Sequence, residues 1–330
     1  MKLIWNNTYG LKHFLASNFP IDKARIALET RNKMVNVNVD EHIKSIFSTG
    51  EAFAIGRLGG SEARYLGALY QKRYSKSYGG IFRPFSRYNL KKRQLEISSG
   101  AGFYFKSISD ENRFLEIYLD CLAKVDVLGV WGTAFAWIER LGLDSSKLNV
   151  PVGATAPWIQ KYPYDQMEVS EENSAWSQNL NSQKILVISP FTKSIQTQYL
   201  QIDNVFPGNN YPKFTVEFIT SPMTFNGENS RGLTWFENLD LMKREMNKID
   251  FDIALIGAGA YSFPLAIHAK NIGKIGVHAG GGLQLFFGLL GNRWKNSEYV
   301  LRFVNNFWKY PSSEETPTNS YSVEKSAYWS

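Results

Sequence analysis

Short apolar runs recur along the chain, and each leads through small or glycine-rich residues into a helical spacing of apolar positions. The runs that predict strands lie at 52–56, 125–130, 184–188, 214–219, 251–256 and 275–277. One helix is predicted to begin at about 61, a second to end at 141 and a third to end at about 201. Further helices are predicted over 234–247 and 263–272, and an apolar helix over 283–290. This alternation is typical of a mostly parallel sheet with helices on both faces. We therefore predict an α/β fold with a Rossmann-like sheet.

The two ends of the chain depart from this alternation. Residues 1–45 predict an irregular and helical lead-in, in which Asp40 caps a helix over 42–47. Residues 311–330 are rich in Ser, Thr, Pro and Glu and have no periodicity, which predicts a flexible, loosely attached tail. Since no convincing linker interrupts residues 46–310, we expect one main domain with helical embellishments.

The composition indicates a folded protein and excludes some kinds of site. Of the 330 residues, 44% are hydrophobic and 15% aromatic, which is enough for a large core. Cys121 is the one cysteine of the chain, so an intrachain disulfide and a cysteine-based zinc site are excluded. The sequence shows neither a signal-peptide pattern nor the roughly 20 apolar residues of a membrane span. We expect a cytoplasmic protein.

The net charge of +7 is concentrated in one segment. Residues 72–93 contain eight basic side chains and no acidic one: Lys72, Arg73, Lys76, Arg83, Arg87, Lys91, Lys92 and Arg93. Aromatic residues are interleaved with them. Such a segment suits single-stranded nucleic acid, an anionic membrane surface or a phosphorylated substrate, and a solvated loop and helix face is an equal alternative.

The first glycine-rich turn combines a cation with a carboxylate. Arg57 comes at the end of an apolar run, Gly59 and Gly60 follow, and Glu62 lies in the first turn of the next helix. Bare backbone beside a fixed cation suits an anionic ligand. A structural ion pair, with Glu62 favoured by the helix dipole, explains the same residues.

Two later loops carry weaker signals of the same kind. Gly257 and Gly259 begin a dinucleotide-like fingerprint, but Ser262 stands at the third glycine position and no acidic residue follows about 20 residues on. This counts against a nicotinamide cofactor. Two interpretations of the loop remain: a phosphate-binding loop and a turn that only packs a helix on the sheet. The segment 188–199 places Ser189 at a strand end, with Lys193 and Gln198 in the helix that follows. These groups suit an anion, and ordinary capping is an equal alternative.

The segment 278–294 is the most informative of the glycine-rich loops. Three consecutive glycines from Gly280 allow close approach to the backbone, while His278 and Gln284 supply side-chain hydrogen bonds. A diphosphate or sugar clamp fits this pattern. The alternatives are a core histidine and, for Arg293 with Trp294, a structural pair at a helix end.

Taken in order, these motifs resemble those of GT-D-type glycosyltransferases. Residues 57–62 match the Arg-x-Gly-x-x-Glu signature, and the segments 188–198, 252–261 and 278–294 are similar to bacterial polysaccharide-biosynthesis members. The resemblance covers about residues 45 to 295. It implies a parallel α/β fold and a cytoplasmic enzyme that transfers a sugar from a nucleotide-diphosphate sugar, typically a UDP-sugar, to a growing glycan such as O-antigen or capsule.

The resemblance also implies roles for individual residues. Arg57 and Lys193 would stabilise the departing phosphate, and Glu62 would be the general base or a metal ligand. Contacts to the nucleotide sugar are expected at Gly59, Gly60, Ser189, Lys193, Gln198, Gly257, Gly259, Tyr261, His278, Gly280, Gly281 and Gln284. Metal-binding members use Asp-x-Glu in the first loop, whereas Gly60 replaces that Asp here. Dependence on Mn²⁺ or Mg²⁺ therefore stays open.

The expected partners follow from the same resemblance. The basic segment 72–93 would dock a polyprenyl-diphosphate-linked or glycan acceptor, with peripheral attachment to the inner, anionic face of the cytoplasmic membrane. No nucleic-acid partner is expected, because the sequence contains no recognised nucleic-acid motif. The rival functions are another nucleotide-dependent α/β enzyme, such as a pyruvyl transferase or dehydrogenase, and a nucleic-acid-binding module.

Overall fold

A single parallel sheet organises the protein. The computed structural model describes residues 39–74, 83–130, 148–151, 157, 176–208, 211–228, 230–323 and 325–330. Within them, seven strands are present: β1 (Phe53–Leu58), β2 (Val127–Val130), β3 (Leu148–Pro151), β4 (Lys184–Ser189), β5 (Thr215–Thr220), β6 (Ile253–Ile256) and β7 (Ile275–His278). Their order across the sheet is β3-β2-β1-β7-β6-β4-β5, and every neighbouring pair is parallel. The predicted α/β class and Rossmann-like single domain are confirmed.

Helices cover both faces of this sheet. The described ones are α1 (Val39–Thr49), α2 (Gly60–Tyr74), α3 (Arg83–Ala101), α4 (Ile108–Lys124), α5 (Thr192–Leu200), α6 (Ile202–Val205), α7 (Trp235–Met246), α8 (Ser262–Asn271), α9 (Gly282–Phe286) and α10 (Glu298–Leu301). Two of them begin with reciprocal capping boxes, Ser107 with Asp110 before α4 and Thr234 with Glu237 before α7. Each box satisfies backbone N–H groups that the first helical turn leaves without a partner.

The two faces have separate hydrophobic cores. Residues of α2, α4, α7 and α8 pack on the first face, whereas α1, α5, α9 and residues near the C-terminus pack on the second. Strand residues alternate between them, so that Ala54 joins the first core and Ile55 the second. The chain therefore leaves β1 towards the first face and β7 towards the second. Because β1 and β7 are neighbours, their loops diverge and leave a crevice of the kind where ligands bind in open α/β sheets.

The sequence pattern predicted most of the strands, but the 19-residue helix α3 was not among its predicted helices, and two further elements differ from the prediction. β3 was not predicted, because its four residues end in Pro151 and show no alternation. The apolar helix predicted over 283–290 is shorter, since α9 ends at Phe286 and Gly288 adopts a φ of +69°. A Cβ atom at position 288 would lie 2.2 Å from Val205 Cγ1, so the turn requires glycine. Of the lead-in predicted over 1–45, residues 1–38 lie outside the described residues, as does the end of the helix predicted up to 141. The helix predicted over 42–47 is present, but α1 begins at Val39, so Asp40 lies inside the helix and is not the cap before it.

The C-terminal segment, defined here as residues 311–330, packs on the second face. This corrects the prediction of a loosely attached tail. Val323 and Trp329 are fully or almost fully buried, and the Trp329 ring makes edge contacts with Phe191 and Phe225. Its Nε1 donates to the backbone oxygen of Glu315 at 2.8 Å. The physical reason is the large apolar surface of one tryptophan, which outweighs the polar composition around it.

Several cations of the basic segment have partners within the fold. Lys72 Nζ lies 2.7 Å from the buried carboxylate of Glu111, and Arg73 pairs with Glu116. Lys91 and Lys92 are exposed, whereas Lys76 lies outside the described residues. Part of the predicted positive charge is thus neutralised by the protein itself. Within the described ranges, no helix combines the length and apolar character needed to cross a membrane.

Candidate functional site

Arg57 joins β1 to the loop after β7. The strand register pairs Ile55 with Val277, so Arg57 lies level with the residues that follow β7. Its Nη1 donates to the backbone oxygen of Ala279 at 2.8 Å. Burial lowers the pKa of the guanidinium, and the nearby charge of Glu62 acts in the opposite direction. Arg57 remains protonated at neutral pH and presents a fixed, partly desolvated cation at the crevice.

Gly280 lies directly beneath this guanidinium. It adopts a φ of +58°, and a Cβ atom there would lie 2.4 Å from Arg57 Nη1. The backbone conformation therefore favours glycine, and any side chain at position 280 would displace the Arg57 guanidinium. The sequence predicted close approach to this backbone, and the structure shows that the approaching group is Arg57.

Glu62 lies in the first turn of α2 with 8% of its surface exposed. Its carboxylate turns back over the loop, where Ser61 Oγ donates to Oε2 at 2.7 Å and a Cβ atom on Gly59 would lie 2.3 Å from the same oxygen. The charge of Glu62 acts on Arg57 and also contributes, after burial, to the raised pKa of Tyr118. Glu62 is thus a buried carboxylate close to the Arg57 cation.

His278 ends β7 beneath the same loop and is 5% exposed. Burial lowers its pKa well below the ordinary value, and the Arg57 charge lowers it further, so the ring is neutral at pH 7. Its Nδ1 is buried without a hydrogen-bond partner among the described residues. The ring packs near Phe263 at a centroid distance of 6.5 Å. His278 is thus a buried, neutral ring at the end of β7, near enough to Arg57 for that charge to lower its pKa.

Arg293 and Tyr328 complete the group. A Cβ atom on Gly281 would lie 3.1 Å from Tyr328 Cε1 and 3.4 Å from Arg293 Nη1. The Arg293 guanidinium lies 4.8 Å from the centre of the Tyr328 ring, which is a cation–π contact. The Arg293 charge also acts to lower the pKa of Arg57. We call Arg57, Glu62, His278, Gly280, Gly281, Arg293 and Tyr328 the β1–β7 site.

The loop after β4 is occupied by the protein's own carboxylate. Glu315, 5% exposed, accepts hydrogen bonds from the backbone nitrogens of Lys193 at 2.8 Å and Ser194 at 3.2 Å, and from the Ser194 hydroxyl. The Lys193 ammonium is largely exposed and pairs with Glu314 at 2.5 Å. The anion predicted at this helix start is thus supplied by the C-terminal segment.

Two other predicted ligand-binding residues near β4 are used within the fold. Ser189 Oγ accepts from the backbone nitrogen of Phe191 at 3.1 Å. Gln198 Nε2 donates to the backbone oxygens of Gly288 and Phe307, both at 3.0 Å. Gln198 is 1% exposed, so its amide acts as a tie between α5 and two later turns.

The loop after β6 is packed rather than open. Gly259 adopts a φ of +57°, and a Cβ atom there would lie 2.5 Å from the Ala101 backbone oxygen. Tyr261 is 1% exposed, stacks on Trp235 at 4.8 Å and shares a hydrogen bond with Thr224. Gly257 lies against the loop after β7, since a Cβ atom would meet the Gly280 oxygen at 2.8 Å. These contacts support the interpretation of 257–261 as a packing turn.

The remaining predicted residues stabilise the edges of the site. Gln284 Nε2 donates to the backbone oxygens of Leu290 and Tyr328 at 2.7 and 2.8 Å. A Cβ atom on Gly60 would lie 3.0 Å from Arg64 Nη1.

In the part of the chain that the structure describes, no group of three or more His, Cys, Asp or Glu side chains is placed to hold a metal ion.

The structure therefore brings together five of the predicted residues and adds two. Arg57, Glu62, His278, Gly280 and Gly281 meet at the ends of β1 and β7. Arg293 was noted in the sequence as a helix-end residue, and Tyr328 lies in a segment without periodicity that gave no signal. No family model, no curated protein and no solved structure matches this chain.

Proposed function

We propose that the protein is a glycosyltransferase that uses a nucleotide-diphosphate sugar, a UDP-sugar in the first instance, in the biosynthesis of a bacterial surface polysaccharide. The observation that carries the proposal is the Arg57 guanidinium held against the loop after β7, with the Glu62 carboxylate near enough to act on its pKa. One group is a fixed cation and the other a buried carboxylate, and sugar transfer needs both. The site lies where the loops of two neighbouring strands diverge.

The chemistry assigns one task to each group. The acceptor hydroxyl attacks the anomeric carbon, the bond from that carbon to the diphosphate oxygen breaks, and the nucleoside diphosphate leaves. Glu62 takes the proton of the attacking hydroxyl, while Arg57 stabilises the charge that develops on the departing phosphate. The Ser61 hydroxyl, 2.7 Å from Glu62 Oε2, holds the carboxylate in place. A divalent ion at Glu62 would take its remaining ligands from the diphosphate and water.

The test is product analysis with a panel of UDP- and GDP-sugars. Replacement of the base, Glu62→Gln, is expected to lower the turnover rate about 10²- to 10⁴-fold, because proton transfer to a positioned carboxylate contributes that much. Binding of UDP, measured by calorimetry, should stay within about twofold. Glu116→Gln removes an exposed carboxylate, paired with Arg73, and serves as the control.

Three outcomes separate the possibilities. Full activity in Glu62→Gln contradicts the assigned role, and no transfer from any nucleotide sugar contradicts the proposed function. Loss of activity in EDTA assigns Glu62 to a metal, whereas activity that survives EDTA assigns it as the base. A thermal-shift screen of UDP against NAD and an oligonucleotide tests the rival functions, since a ligand at 100 times its Kd stabilises by about 2.7 kcal/mol.

The acceptor is proposed to be a glycan or a polyprenyl-diphosphate-linked sugar at the cytoplasmic membrane face. Support comes from Lys91 and Lys92, two exposed lysines in the middle of α3. Their charge is available to an anionic surface, unlike that of Lys72, which is paired with Glu111. Sedimentation with anionic liposomes tests the attachment, and equal sedimentation with neutral liposomes would contradict it.

A further inference from the structure

The C-terminal segment is bonded to the loop that carries Arg293. The backbone nitrogen of Arg293 donates to the Ala327 oxygen at 3.0 Å, and that of Asn292 donates to the Trp329 oxygen at 2.9 Å. A Cβ atom on Gly291 would lie 2.5 Å from the Ala327 oxygen, so the two backbones are in direct contact. The position of Arg293 is therefore set by the C-terminal segment.

The C-terminal segment is anchored to the fold near both of its ends. Trp329 is 1% exposed in the second core, and Gln284 holds the Tyr328 oxygen from the side of α9. At its other end, the Glu315 carboxylate is held by the first turn of α5. Burial of this kind is typical of a permanent part of a fold, because removing a buried tryptophan side chain costs about 3–5 kcal/mol.

Two guanidinium groups lie against consecutive glycines, near enough for the charge of Arg293 to act on the pKa of Arg57. Arg57 lies over Gly280, and Arg293 lies beside Gly281 with its guanidinium carbon 4.8 Å from the centre of the Tyr328 ring. Like charges repel, so their proximity has a cost that the aromatic ring and Glu62 reduce. A pair of planar guanidinium forks is suited to a ligand with two adjacent anionic groups, because each fork can bind one of them in a bidentate manner.

We propose that the C-terminal segment is a fixed wall of the β1–β7 site, in which the Tyr328 ring holds Arg293 beside Arg57 so that both arginines bind one diphosphate. The ligand class rests on the proposed function. Tyr328 is a positioning residue, because it acts through Arg293. Arg293 would contact the ligand directly, which adds a second cation to the one that the sequence predicted in the first loop.

Calorimetry with inorganic pyrophosphate as the probe tests this proposal. Wild-type protein is expected to bind pyrophosphate, and Tyr328→Ala should weaken the binding about 2-fold to 30-fold, the range of a cation–π contact. Tyr328→Phe keeps the ring and should retain wild-type affinity. In an Arg293→Ala background, Tyr328→Ala should cause no further loss, because the tyrosine then has no cation to position.

The chain offers a matched control. Arg302, directly after α10, lies 4.8 Å from the centre of the Tyr299 ring, the same distance as in the Arg293 pair. Tyr299→Ala removes an equivalent contact and should leave pyrophosphate affinity unchanged. Urea unfolding of each variant checks that the fold is intact. Tyr321→Ala, at a position of the C-terminal segment that is 72% exposed, controls for changes in that segment.

Every result decides the proposal. It is overturned if wild-type protein does not bind pyrophosphate, if Tyr328→Ala binds as tightly as wild type, or if Tyr328→Phe is as weak as Tyr328→Ala. An additional loss in the double variant would show that Tyr328 does not act through Arg293. Pyrophosphate binding with the expected pattern, but no sugar transfer, would reject the proposed function and leave this inference standing. Sugar transfer with no effect of Tyr328→Ala on pyrophosphate affinity would reject this inference and leave the proposed function standing.

Discussion

The loops after β4 and β7 carry similar sequence signals and have different uses. Each follows a buried strand, contains small residues and polar donors, and leads into a helix. In the β4 loop, the backbone N–H groups of Lys193 and Ser194 bind Glu315. In the β7 loop, Gly280 and Gly281 contact the cationic side chains of Arg57 and Arg293.

The difference shows why the β7 loop remains a candidate ligand site and the β4 loop does not. Backbone N–H groups at a helix start attract any nearby carboxylate, and the protein's own chain can supply it. A loop motif in isolation is therefore ambiguous. Convergence of charged side chains from separate strands and from the C-terminal segment is more informative, because packing has no need to gather like charges.

In the β4 loop, the contact between Glu315 and the start of α5 is expected to stabilise the fold and to have no part in ligand binding. Glu315→Gln removes the charge from the hydrogen bonds to Lys193 and Ser194, and should lower the free energy of unfolding by about 1.5–3 kcal/mol, the range for bonds to a charged group. Urea unfolding measures this loss. Pyrophosphate affinity should not change, because Trp329 still anchors the C-terminal segment.

The control for this prediction is Glu314→Gln. Glu314 forms an exposed ion pair with Lys193, so its loss should cost less than about 1 kcal/mol. Tighter pyrophosphate binding in Glu315→Gln would show that the β4 loop is a ligand site that Glu315 occupies. The two loops would then have the same use.

In the β7 loop, Gly280 is expected to affect both stability and ligand binding, because it lies against Arg57. Gly280→Ala places a side chain in a left-handed conformation and against Arg57, whereas Gly273→Ala has the same strain with no atom within 4 Å of the added Cβ. Both variants should lose about 1–2 kcal/mol of stability from backbone strain. Gly280→Ala is additionally expected to weaken pyrophosphate binding, because Arg57 must move. Equal pyrophosphate affinities in the two variants would argue against a ligand at this loop.

The third and smallest effect concerns pH. The pKa of His278 lies well below its unfolded value of about 6.5, so the unfolded chain binds the extra proton first as pH falls. The contribution of His278 to the free energy of unfolding should therefore be fully present above about pH 7 and should fall below pH 6.5. The decrease is at most about 1.4 kcal/mol per pH unit. Urea titrations between pH 5 and 8 measure the slope.

The matched variant for the pH effect is His278→Gln. Its slope should be smaller than that of wild type, and the remaining part includes His268, whose pKa burial also lowers. An identical slope in the two proteins would show that the His278 ring is not the group that titrates. The pH effect would then carry no information about the β7 loop.

The sequence predicted the fold better than the contacts of its loops. Apolar runs such as 184–188 and 251–256 indicated strands because buried parallel strands are continuously apolar. The same pattern could not indicate that Glu315 fills the start of α5, since that contact joins residues about 120 positions apart. Arg57, Glu62 and Gly280 were predicted because glycine and a charged residue at a strand end are unusual locally.

Tyr328 and the burial of Trp329 were missed for a related reason. The residues around them are small and polar, so no periodicity marks them, and one large ring decides the packing. The packed loop after β6 was also hidden, because a glycine that contacts a neighbouring backbone looks the same in sequence as one that contacts phosphate.

The placement of β7 between β1 and β6 has a consequence for how the protein folds. The bond between Arg57 and Ala279 spans 222 positions, and β1 exposes an unpaired edge until β7 inserts beside it. Non-local pairing of this kind is slow. We therefore expect β7 to insert between β1 and β6 late in folding. A diphosphate bound at the β1–β7 site would stabilise this last step, and a chain that lacks β7 would be unable to bind it.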